Sequence, residues 1–307
     1  MCGIVGFLDR RDRPESGPPT GATLMSMLRA LACRGPDGAG VALIGEPAAA
    51  GVWKVRVAPA DLADLARLEG LGAVGRDAAC REGGTRCFLF RPDPGVTPVE
   101  VEARLGARRG GLEVLSLGDR LDLVKGVGDP DSLETAYGVS RWGGPVAVGH
   151  TRMSTESRID LSHSQPFWAH GLLDLATVHN GHITNYHRLR RRFEQRGTVF
   201  YTDNDSEVIG VYLRDRLEAG RTLAEAMADS LADLDGAFNY LVASPEGLGV
   251  VRDRFGFKPL MVAETDDFVA VATEEIALRT ALPGTYRAHE PPPGSARLFP
   301  LVVPALV

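Results

Sequence analysis

The sequence has 307 residues, a formal net charge of −6, and 44% hydrophobic and 24% charged side chains, an ordinary composition for a globular protein. The acidic balance argues against nucleic acid as the main partner, because no basic excess is present to meet phosphates. No apolar run reaches the roughly 20 residues that cross a bilayer, no signal peptide opens the chain, and no C-x-x-C pair indicates a zinc or redox site, so we expect a cytoplasmic protein with reduced thiols.

The first residues hold the first candidate for chemistry. In Met1-Cys2-Gly3 the small second side chain permits removal of Met1, which would leave Cys2 with both a thiol and a free α-amine. A free α-amine titrates near neutral pH, and activation of an N-terminal nucleophile by its own amine is a known form of covalent catalysis. The alternative is a buried thiol at the start of a strand with Met1 retained. Met-Cys alone favours that alternative.

A strand, a helix and a glycine-rich loop follow in order. Residues 3–8 form an apolar run that predicts a buried strand, and residues 20–33 carry leucine and methionine at helical spacing. The loop Arg34-Gly35-Pro36-Asp37-Gly38-Ala39-Gly40 then leads into an apolar strand at 41–44. Taken alone, this loop indicates only a tight turn.

The character of the sequence changes between Gly45 and Gly144, where the predicted elements are short. We expect a helix at 97–105, one or two strands at 112–124, and a helix at 131–137 capped by Asp131 or Ser132. We interpret residues 45–144 as a small α/β insertion within a single domain that covers residues 1–307. No catalytic constellation is found in the insertion.

The part after Val146 is richest in polar motifs. A strand at 146–150 runs into residues 151–157, and a strand at 175–179 ends at Asn180-Gly181, which is the strongest short turn signal and could mean a simple hairpin. A polar loop at 202–207 precedes a helix at 206–218, and four strands between 238 and 272 predict one antiparallel meander. Helices with many short strands indicate an α+β protein with helices packed on antiparallel sheets.

The sequence offers no sign of a cofactor or metal. It contains neither the G-x-G-x-x-G nor the G-x-x-x-x-G-K-[ST] pattern, and its histidines lack a metal-ligand spacing. We therefore expect no cofactor and no metal ion.

Five segments occur in the order typical of one family. They resemble the signatures of class II glutamine amidotransferases, which belong to the N-terminal-nucleophile hydrolases. Each segment is short, but five in the right order form a specific pattern. The segments are Met1-Cys2-Gly3-Ile4, Arg34-Gly35-Pro36-Asp37-Gly38-Ala39-Gly40, His150-Thr151-Arg152-Met153-Ser154-Thr155, His179-Asn180-Gly181 and Asp205-Ser206-Glu207.

Other features refine the resemblance. Gln165-Pro166-Phe167 ahead of the histidine motif is similar to the glutamate synthase branch of the family, and residues 252–260 resemble a family strand and turn. Met153 departs from the pattern, because several relatives carry an aromatic residue there. The insertion is absent from most relatives but resembles that of the glutaminase subunit of N-methylglutamate synthase.

The resemblance implies a four-layer αββα fold and hydrolysis of the glutamine side-chain amide to glutamate and ammonia. By its place in the motif, Cys2 is the nucleophile and its own freed amine is the base. No propeptide separates Met1 from Cys2, so removal of Met1 alone would mature the enzyme. Asn180 and Gly181 would form the oxyanion hole through the side-chain amide and the backbone N–H.

The resemblance also implies a site for the amino-acid end of L-glutamine. Arg152 would hold the α-carboxylate as a bidentate fork, with Thr155 adding a hydrogen bond, and Asp205 would bind the α-ammonium. His179 belongs with these substrate-binding residues. Arg34 lies in the loop that approaches the nucleophile in this family.

The function most consistent with these residues is a separate glutaminase subunit. No acceptor domain follows the glutaminase core, so ammonia would pass to a flavin-dependent synthase partner of the glutamate or N-methylglutamate type, with the insertion as the candidate docking surface. One alternative is a free-standing amidohydrolase acting on γ-glutamyl or related amides. Another is a non-catalytic regulatory subunit, against which the intact site residues argue.

Overall fold

The computed structural model describes residues 2–11, 17–58, 68, 70–75, 81–82, 85–106, 113–153 and 160–301. The strands in this part are β1 (Gly3–Asp9), β2 (Gly38–Ile44), β3 (Trp53–Ala58), β4 (Gly72–Gly75), β5 (Arg81–Glu82), β6 (Thr85–Pro92), β7 (Glu113–Gly118), β8 (Leu121–Val127), β9 (Val146–Arg152), β10 (Phe167–Trp168), β11 (Ala176–Ile183), β12 (Gly236–Ser244), β13 (Gly247–Arg252), β14 (Met261–Glu264), β15 (Phe268–Ala272), β16 (Ala288–His289) and β17 (Ser295–Pro300). The α-helices are α1 (Thr20–Ala30), α2 (Pro98–Gly106), α3 (Pro130–Tyr137), α4 (Tyr186–Glu194), α5 (Glu207–Glu218), α6 (Leu223–Asp233) and α7 (Glu275–Ala281).

Two antiparallel sheets are stacked between two layers of helices. The first sheet has seven strands in the order β16-β14-β15-β1-β9-β2-β8, and the second has five in the order β10-β11-β12-β13-β17. Apolar side chains join α1, α3 and α7 to the outer face of the first sheet, and α4, α5 and α6 to the outer face of the second. The predicted four-layer αββα fold is confirmed.

The position of the central strand β1 between two apolar cores explains why its sequence is continuously apolar. Its side chains alternate between two cores: Ile4 and Leu8 face the second sheet, whereas Val5 and Phe7 face the helices. A strand buried on both faces has no polar position to alternate with its apolar ones.

The insertion contributes a third sheet in the order β4-β6-β3-β7, with β5 paired to β6. Its apolar side chains, such as Val55, Phe88 and Val101 of α2, continue the core between the two main sheets. Not everything between residues 45 and 144 lies in this unit, because β8 pairs with β2 at the edge of the seven-stranded sheet and α3 packs in the layer of α1. The described strands of the separate sheet therefore lie between Trp53 and Gly118.

The cap of α3 differs from the predicted Asp131 or Ser132. The side chain of Asp129 accepts a hydrogen bond from the Ser132 N–H, and Pro130 takes the first helical position. Proline suits that position because its missing N–H would have no partner inside the helix.

Two other expectations about the strands are wrong. The strand β11 does not end at Asn180-Gly181 but runs through to Ile183, because both residues pair with β12. The predicted single meander is two hairpins in different sheets, since β13 pairs with β17 and β15 pairs with β1. Within the described ranges, none of the helices has the length and hydropathy needed to cross a membrane.

Candidate active site

A cavity of about 450 Å³ opens where β1 begins and β9 ends, beside the middle of β11. The seven-stranded sheet supplies His150 and Arg152, Cys2 lies just before its strand β1, and β11, α4 and neighbouring loops supply the rest. The lining residues are Cys2, His150, Arg152, Met153, Gln165, His179, Asn180, Gly181, His182, Tyr186, His187, Asp203, Asn204, Asp205, Ser206 and Lys258. Of the eight candidate site residues from the sequence, six therefore border one cavity.

Cys2 precedes β1 and its Sγ lies 3.7 Å from the carbonyl oxygen of Met153. Arg34 does not line the cavity: its Nε donates to the carbonyl of Cys2 at 3.4 Å, and its guanidinium is ion-paired with Glu274. Gly35 is required beside it, because a Cβ there would lie 2.4 Å from the backbone nitrogen of Arg152. The glycine-rich loop thus supports the backbone of Cys2 against the end of β9.

The sequence also predicts removal of Met1 and a hydrogen bond from Thr155 to the substrate carboxylate. Both residues lie outside the described residues. Arg152 is described: its side chain is buried, lines the cavity, and lies in register with Gly38 on β2.

Hydrogen-bond donors face the cavity along one edge of β11. The backbone N–H and C=O of Phe238, opposite Gly181, are bonded to Asp253, so Gly181 and Phe238 form a pair without mutual hydrogen bonds. In such a ladder the backbone groups of alternate residues point to the same side. The N–H of Gly181 therefore points to the same edge as the N–H groups of His179 and Ile183, which bind Gln165 and Asp205.

The side-chain amide of Asn180 adds a second donor. Its Nδ2 is buried and has no hydrogen-bond partner among the described residues. A buried polar group without a partner is costly, and this donor is therefore available to a bound group in the cavity. Gly181 has φ of +136°, and a Cβ there would lie 2.2 Å from the carbonyl oxygen of Ala237, so only glycine fits beside Asn180.

Asp205 is fixed on the same edge. Its Oδ2 accepts from the N–H of Ile183 at 2.8 Å, two residues beyond Gly181. Residues two apart on a strand are separated by about 7 Å. The acidic group and the N–H of Gly181 are therefore spaced along the cavity wall by about the length of a small amino acid.

Gln165 and Ser206 support this edge from behind. The Oε1 of Gln165 accepts from the N–H of His179 at 2.6 Å, and its Nε2 donates to the carbonyl of His179 at 3.1 Å and to the Oγ of Ser206 at 3.0 Å. The Oγ of Ser206 also lies 2.8 Å from Nδ1 of His179. The sequence motifs that contain Gln165 and Ser206 do not by themselves predict this supporting role, because it depends on contacts to His179.

Two buried histidines in the cavity are neutral. Burial, followed by electrostatic interactions with His179 and Arg152, lowers the pKa of His150 to about 3, and burial also lowers the pKa of His179. A base with so low a pKa holds a proton poorly at neutral pH. Together with the contact of the Cys2 sulfur to Met153, this argues against a cysteine–histidine pair.

Buried polar contacts tie the insertion to both loops that border the cavity. Glu113 of β7 accepts from the hydroxyl of Ser162 at 2.6 Å, and beside it the buried Lys125 of β8, in the seven-stranded sheet, donates to the Ser162 carbonyl at 3.3 Å. Glu102 of α2 is hydrogen-bonded to His170, whose ring stacks on Tyr201 at 4.6 Å. Residues 160–165 and 201–206 are thus held from the insertion side.

The loop at 201–206 has a further internal support. The carboxylate of Glu207 accepts from the N–H groups of Tyr201 and Thr202, each at 2.8 Å. His163 joins the two loops, because its Nδ1 contacts Asp160 at 2.6 Å and its Nε2 contacts Asp203. Among the described residues, no group of three or more histidine, cysteine, aspartate or glutamate side chains is placed to bind a metal.

The fold and this cavity define a four-layer αββα sandwich with a cysteine immediately before its central strand β1. Residues 150–280 match the family described as glutamine amidotransferase domain. The chain is 32% identical to the "Putative glutamine amidotransferase" of Methanothermobacter thermautotrophicus over 97% of this chain and 99% of that protein. It is 37% identical to the glutamine amidotransferase-like protein GlxB of Rhizobium meliloti over 91% of each chain.

A solved structure shows the same fold. The glutamine phosphoribosylpyrophosphate amidotransferase of B. subtilis superposes with a TM-score of 0.62 at 20% identity, over 98% of this chain. The present chain spans 50% of the length of that protein, so the likeness concerns the shared part. The family match and the two relatives, which are matched over 99% and 91% of their own lengths, show that the chain belongs to the glutamine amidotransferases.

Proposed function

We propose that the chain hydrolyses the side-chain amide of L-glutamine through a thioester on Cys2, and that the ammonia passes to a partner synthase. The observation that carries this proposal is the common edge of β11. There the unpartnered Nδ2 of Asn180, the N–H direction of Gly181 and the carboxylate of Asp205 face one cavity with Cys2.

The proposed reaction has two halves. With Met1 removed, the α-amine of Cys2 takes the thiol proton, and Sγ attacks the amide carbon. Nδ2 of Asn180 and the N–H of Gly181 stabilise the oxyanion that forms on the amide oxygen. Collapse of this intermediate breaks the C–N bond, the α-ammonium returns its proton to the leaving nitrogen, and ammonia departs. Water then attacks the thioester by the same route and releases glutamate and the free thiol.

The low pKa of His150 supports the α-amine as the base. Neither buried histidine holds a proton well near neutral pH, whereas a free α-amine titrates close to that range. The N-terminal amine is therefore better suited than either histidine to accept the proton of the Cys2 thiol near neutral pH.

Selectivity for the free amino acid comes from two charges. Arg152 would bind the α-carboxylate, and Asp205 would bind the α-ammonium about 7 Å along the strand from the oxyanion donors. A γ-glutamyl compound with a free amino-acid end would satisfy the same charges, whereas a peptide-linked glutamine would leave both without partners. Thr155 is proposed as an additional donor to the carboxylate.

The proposed partner is a flavin-dependent synthase of the glutamate or N-methylglutamate type. The support for an acceptor is that the cavity beside Cys2 is partly open to solvent. A glutaminase cavity that opens to solvent would release ammonia there, so a partner is needed to receive it. The proposal therefore includes weak turnover by the isolated chain and stimulation by the partner.

The decisive experiment compares the wild-type chain with Cys2→Ala and Arg152→Lys. We expect glutamate release from glutamine by the wild type, no release by Cys2→Ala, and a raised KM for Arg152→Lys, because lysine cannot form the bidentate contact. Intact-mass analysis after treatment with an electrophilic glutamine analogue should show one adduct on a chain lacking Met1. Full activity in Cys2→Ala would refute the proposal.

A further inference from the structure

Lys125 of β8 is buried in the layer between the two main sheets. It is one of three lysines in the chain and is 3% exposed. Leu121 and Leu123 of the same strand belong to the apolar core between the sheets, and residues two apart on a strand face the same side. Burying an amino group in such a layer costs free energy unless the group is paired. A specific set of contacts must therefore offset this cost.

The amino group of Lys125 contacts three different groups. Its Nζ donates to the carbonyl of Ser162 at 3.3 Å, lies 3.7 Å from the carboxylate of Glu113, and lies 4.8 Å from the ring centroid of Phe167. Burial lowers the pKa of Lys125, and the Glu113 carboxylate opposes this shift. Two of the three contacts fall on either side of Gln165 in the sequence. Lys125 therefore holds the chain both before and after that glutamine.

Gly40, the neighbour of Lys125 on β2, receives the same stretch of chain. The two residues are paired across β2 and β8. A Cβ at Gly40 would lie 2.0 Å from the carbonyl oxygen of Gln165, so any other residue would push that backbone away. The glycine thus permits the close approach of Gln165 to the seven-stranded sheet, and the lysine beside it supplies the attachment.

This attachment connects the two halves of the proposed site. Cys2 lies just before β1 of the seven-stranded sheet, whereas Asn180 and Gly181 stand on β11 of the second sheet. Gln165 bonds to the backbone of His179, immediately before them. A misplacement of about 1 Å between reacting groups can cost on the order of 10²-fold in rate. The hold on this glutamine therefore bears on the distance between the nucleophile and the oxyanion donors.

We propose that Lys125 is a positioning residue, whose amino group holds residues 162–167 on the seven-stranded sheet and so fixes Gln165 and the oxyanion donors relative to Cys2. The inference rests on the proposed glutaminase function, because it concerns the geometry of that same site. A lysine that only filled the core could be replaced by methionine, which has a similar length and no amino group, without moving Gln165.

The test compares the full-length wild type with Lys125→Met and with the matched control Lys54→Met. Lys54 also contacts a carboxylate and a carbonyl, because its Nζ donates to Asp122 at 2.6 Å and to the carbonyl of Arg120 at 3.2 Å, but it does not line the cavity. Two quantities are measured for each chain: kcat and KM for glutamate release from glutamine, and hydrogen–deuterium exchange of residues 176–183 in β11.

We expect kcat of Lys125→Met to fall about tenfold or more while KM changes less. Exchange of residues 176–183 should be faster, because the contact between Gln165 and the N–H of His179 opens more often. Lys54→Met should match the wild type in both measurements. Adding Lys125→Met to Gln165→Ala should not lower kcat further, because both changes break the same series of contacts.

Several results would overturn the positioning role. They are wild-type kcat and exchange in Lys125→Met, equal losses in Lys54→Met, and additive losses in the double variant with Gln165→Ala. If Lys125→Met shows no cooperative unfolding, Glu113→Gln replaces it, since this change weakens the hold on the amino group but keeps an acceptor for Ser162; wild-type values there overturn the proposal as well. Absence of glutamate release by the wild type refutes the proposed function separately, and the exchange measurement then decides the role of Lys125.

Discussion

The side chain of Gln165 bonds to the backbone of His179 as a neighbouring strand would. Its Oε1 accepts from the N–H at 2.6 Å and its Nε2 donates to the C=O at 3.1 Å. This pairing extends the ladder of β11 by one residue beyond its short partner β10. It fixes the backbone orientation immediately before Asn180 and Gly181, so a second layer of polar contacts determines where the proposed oxyanion donors point.

Replacing Gln165 by alanine should therefore affect the site as well as the fold. The buried N–H and C=O of His179 would lose their partner, and a buried group left without one costs about 1–3 kcal/mol. We expect the unfolding free energy to fall by about that amount and kcat to fall while KM changes less. Gln195→Ala, at the exposed C-terminus of α4, is the control for glutamine loss. Wild-type kcat in Gln165→Ala would contradict the positioning role.

Removal of the Asn180 amide tests the oxyanion assignment. Asn180→Ala removes the Nδ2 donor without placing a new charge beside the oxyanion. Loss of one such donor costs on the order of 10²–10³ in kcat in a well-studied protease, so we expect a loss of that size in glutamate release. Binding of glutamine in a Cys2→Ala background, measured by calorimetry, should change far less, because the lost interaction is strongest in the transition state. Equal losses in binding and in kcat would assign Asn180 to ground-state binding instead.

The buried neutral His150 predicts a pH-dependent stability. Its pKa is lowered to about 3 in the folded chain, whereas in the unfolded chain the pKa of the same histidine is about 6.5. Between these values the unfolded state binds the extra proton, so the unfolding free energy falls as pH falls through this window. For one histidine the loss between pH 8 and pH 5 is about 2 kcal/mol.

His150→Gln should remove that contribution. Chemical denaturation at pH 8 and pH 5 should show a stability difference smaller by about 2 kcal/mol than in the wild type. His187→Gln, at an exposed position of α4, serves as the control. An unchanged pH difference in His150→Gln would mean that the histidine is protonated in the folded state.

The sequence predicts those parts of the fold that depend on local patterns. The apolar run of β1 is buried on both faces as expected, and the motifs that carry Cys2, Arg152 and Asp205 meet at one cavity. Asn180-Gly181 shows the limit of local signals, because turn preference is local while pairing with Asn239 and Phe238 is supplied from about sixty positions away. The prediction that β12 to β15 form one meander is wrong for the same reason, because an alternating sequence pattern predicts a strand but not the sheet that the strand joins.

Contacts between side chains that are far apart in the sequence also cannot be predicted from local patterns. Glu102 and His170 are 68 positions apart, and neither stands in a recognisable motif. Their pairing follows from how α2 packs against the end of β10, which sequence periodicity cannot give. The supports of the site on the insertion side are therefore known only from the three-dimensional arrangement.

The link from Glu102 to His170 predicts that the insertion helps to position the glutamine site. His170 stacks on Tyr201, which begins the loop that carries Asp205. Glu102→Gln keeps the size of the side chain but weakens its hold on His170, and breaking one half of a buried polar pair leaves the other half poorly satisfied. We expect KM for glutamine to rise, because the carboxylate proposed for the α-ammonium is less well fixed, while the reactivity of Cys2 towards a small alkylating agent stays unchanged.

A double-mutant cycle separates this link from general destabilisation. Glu102→Gln and His170→Gln should each raise KM, and the double variant should be no worse than either alone, because both changes break the same contact. Arg104→Gln, on an exposed position of the same helix, should leave KM at the wild-type value. Additive effects in the double variant would show that Glu102 and His170 act independently. In that case the insertion would support the fold without positioning the loop at residues 201–206.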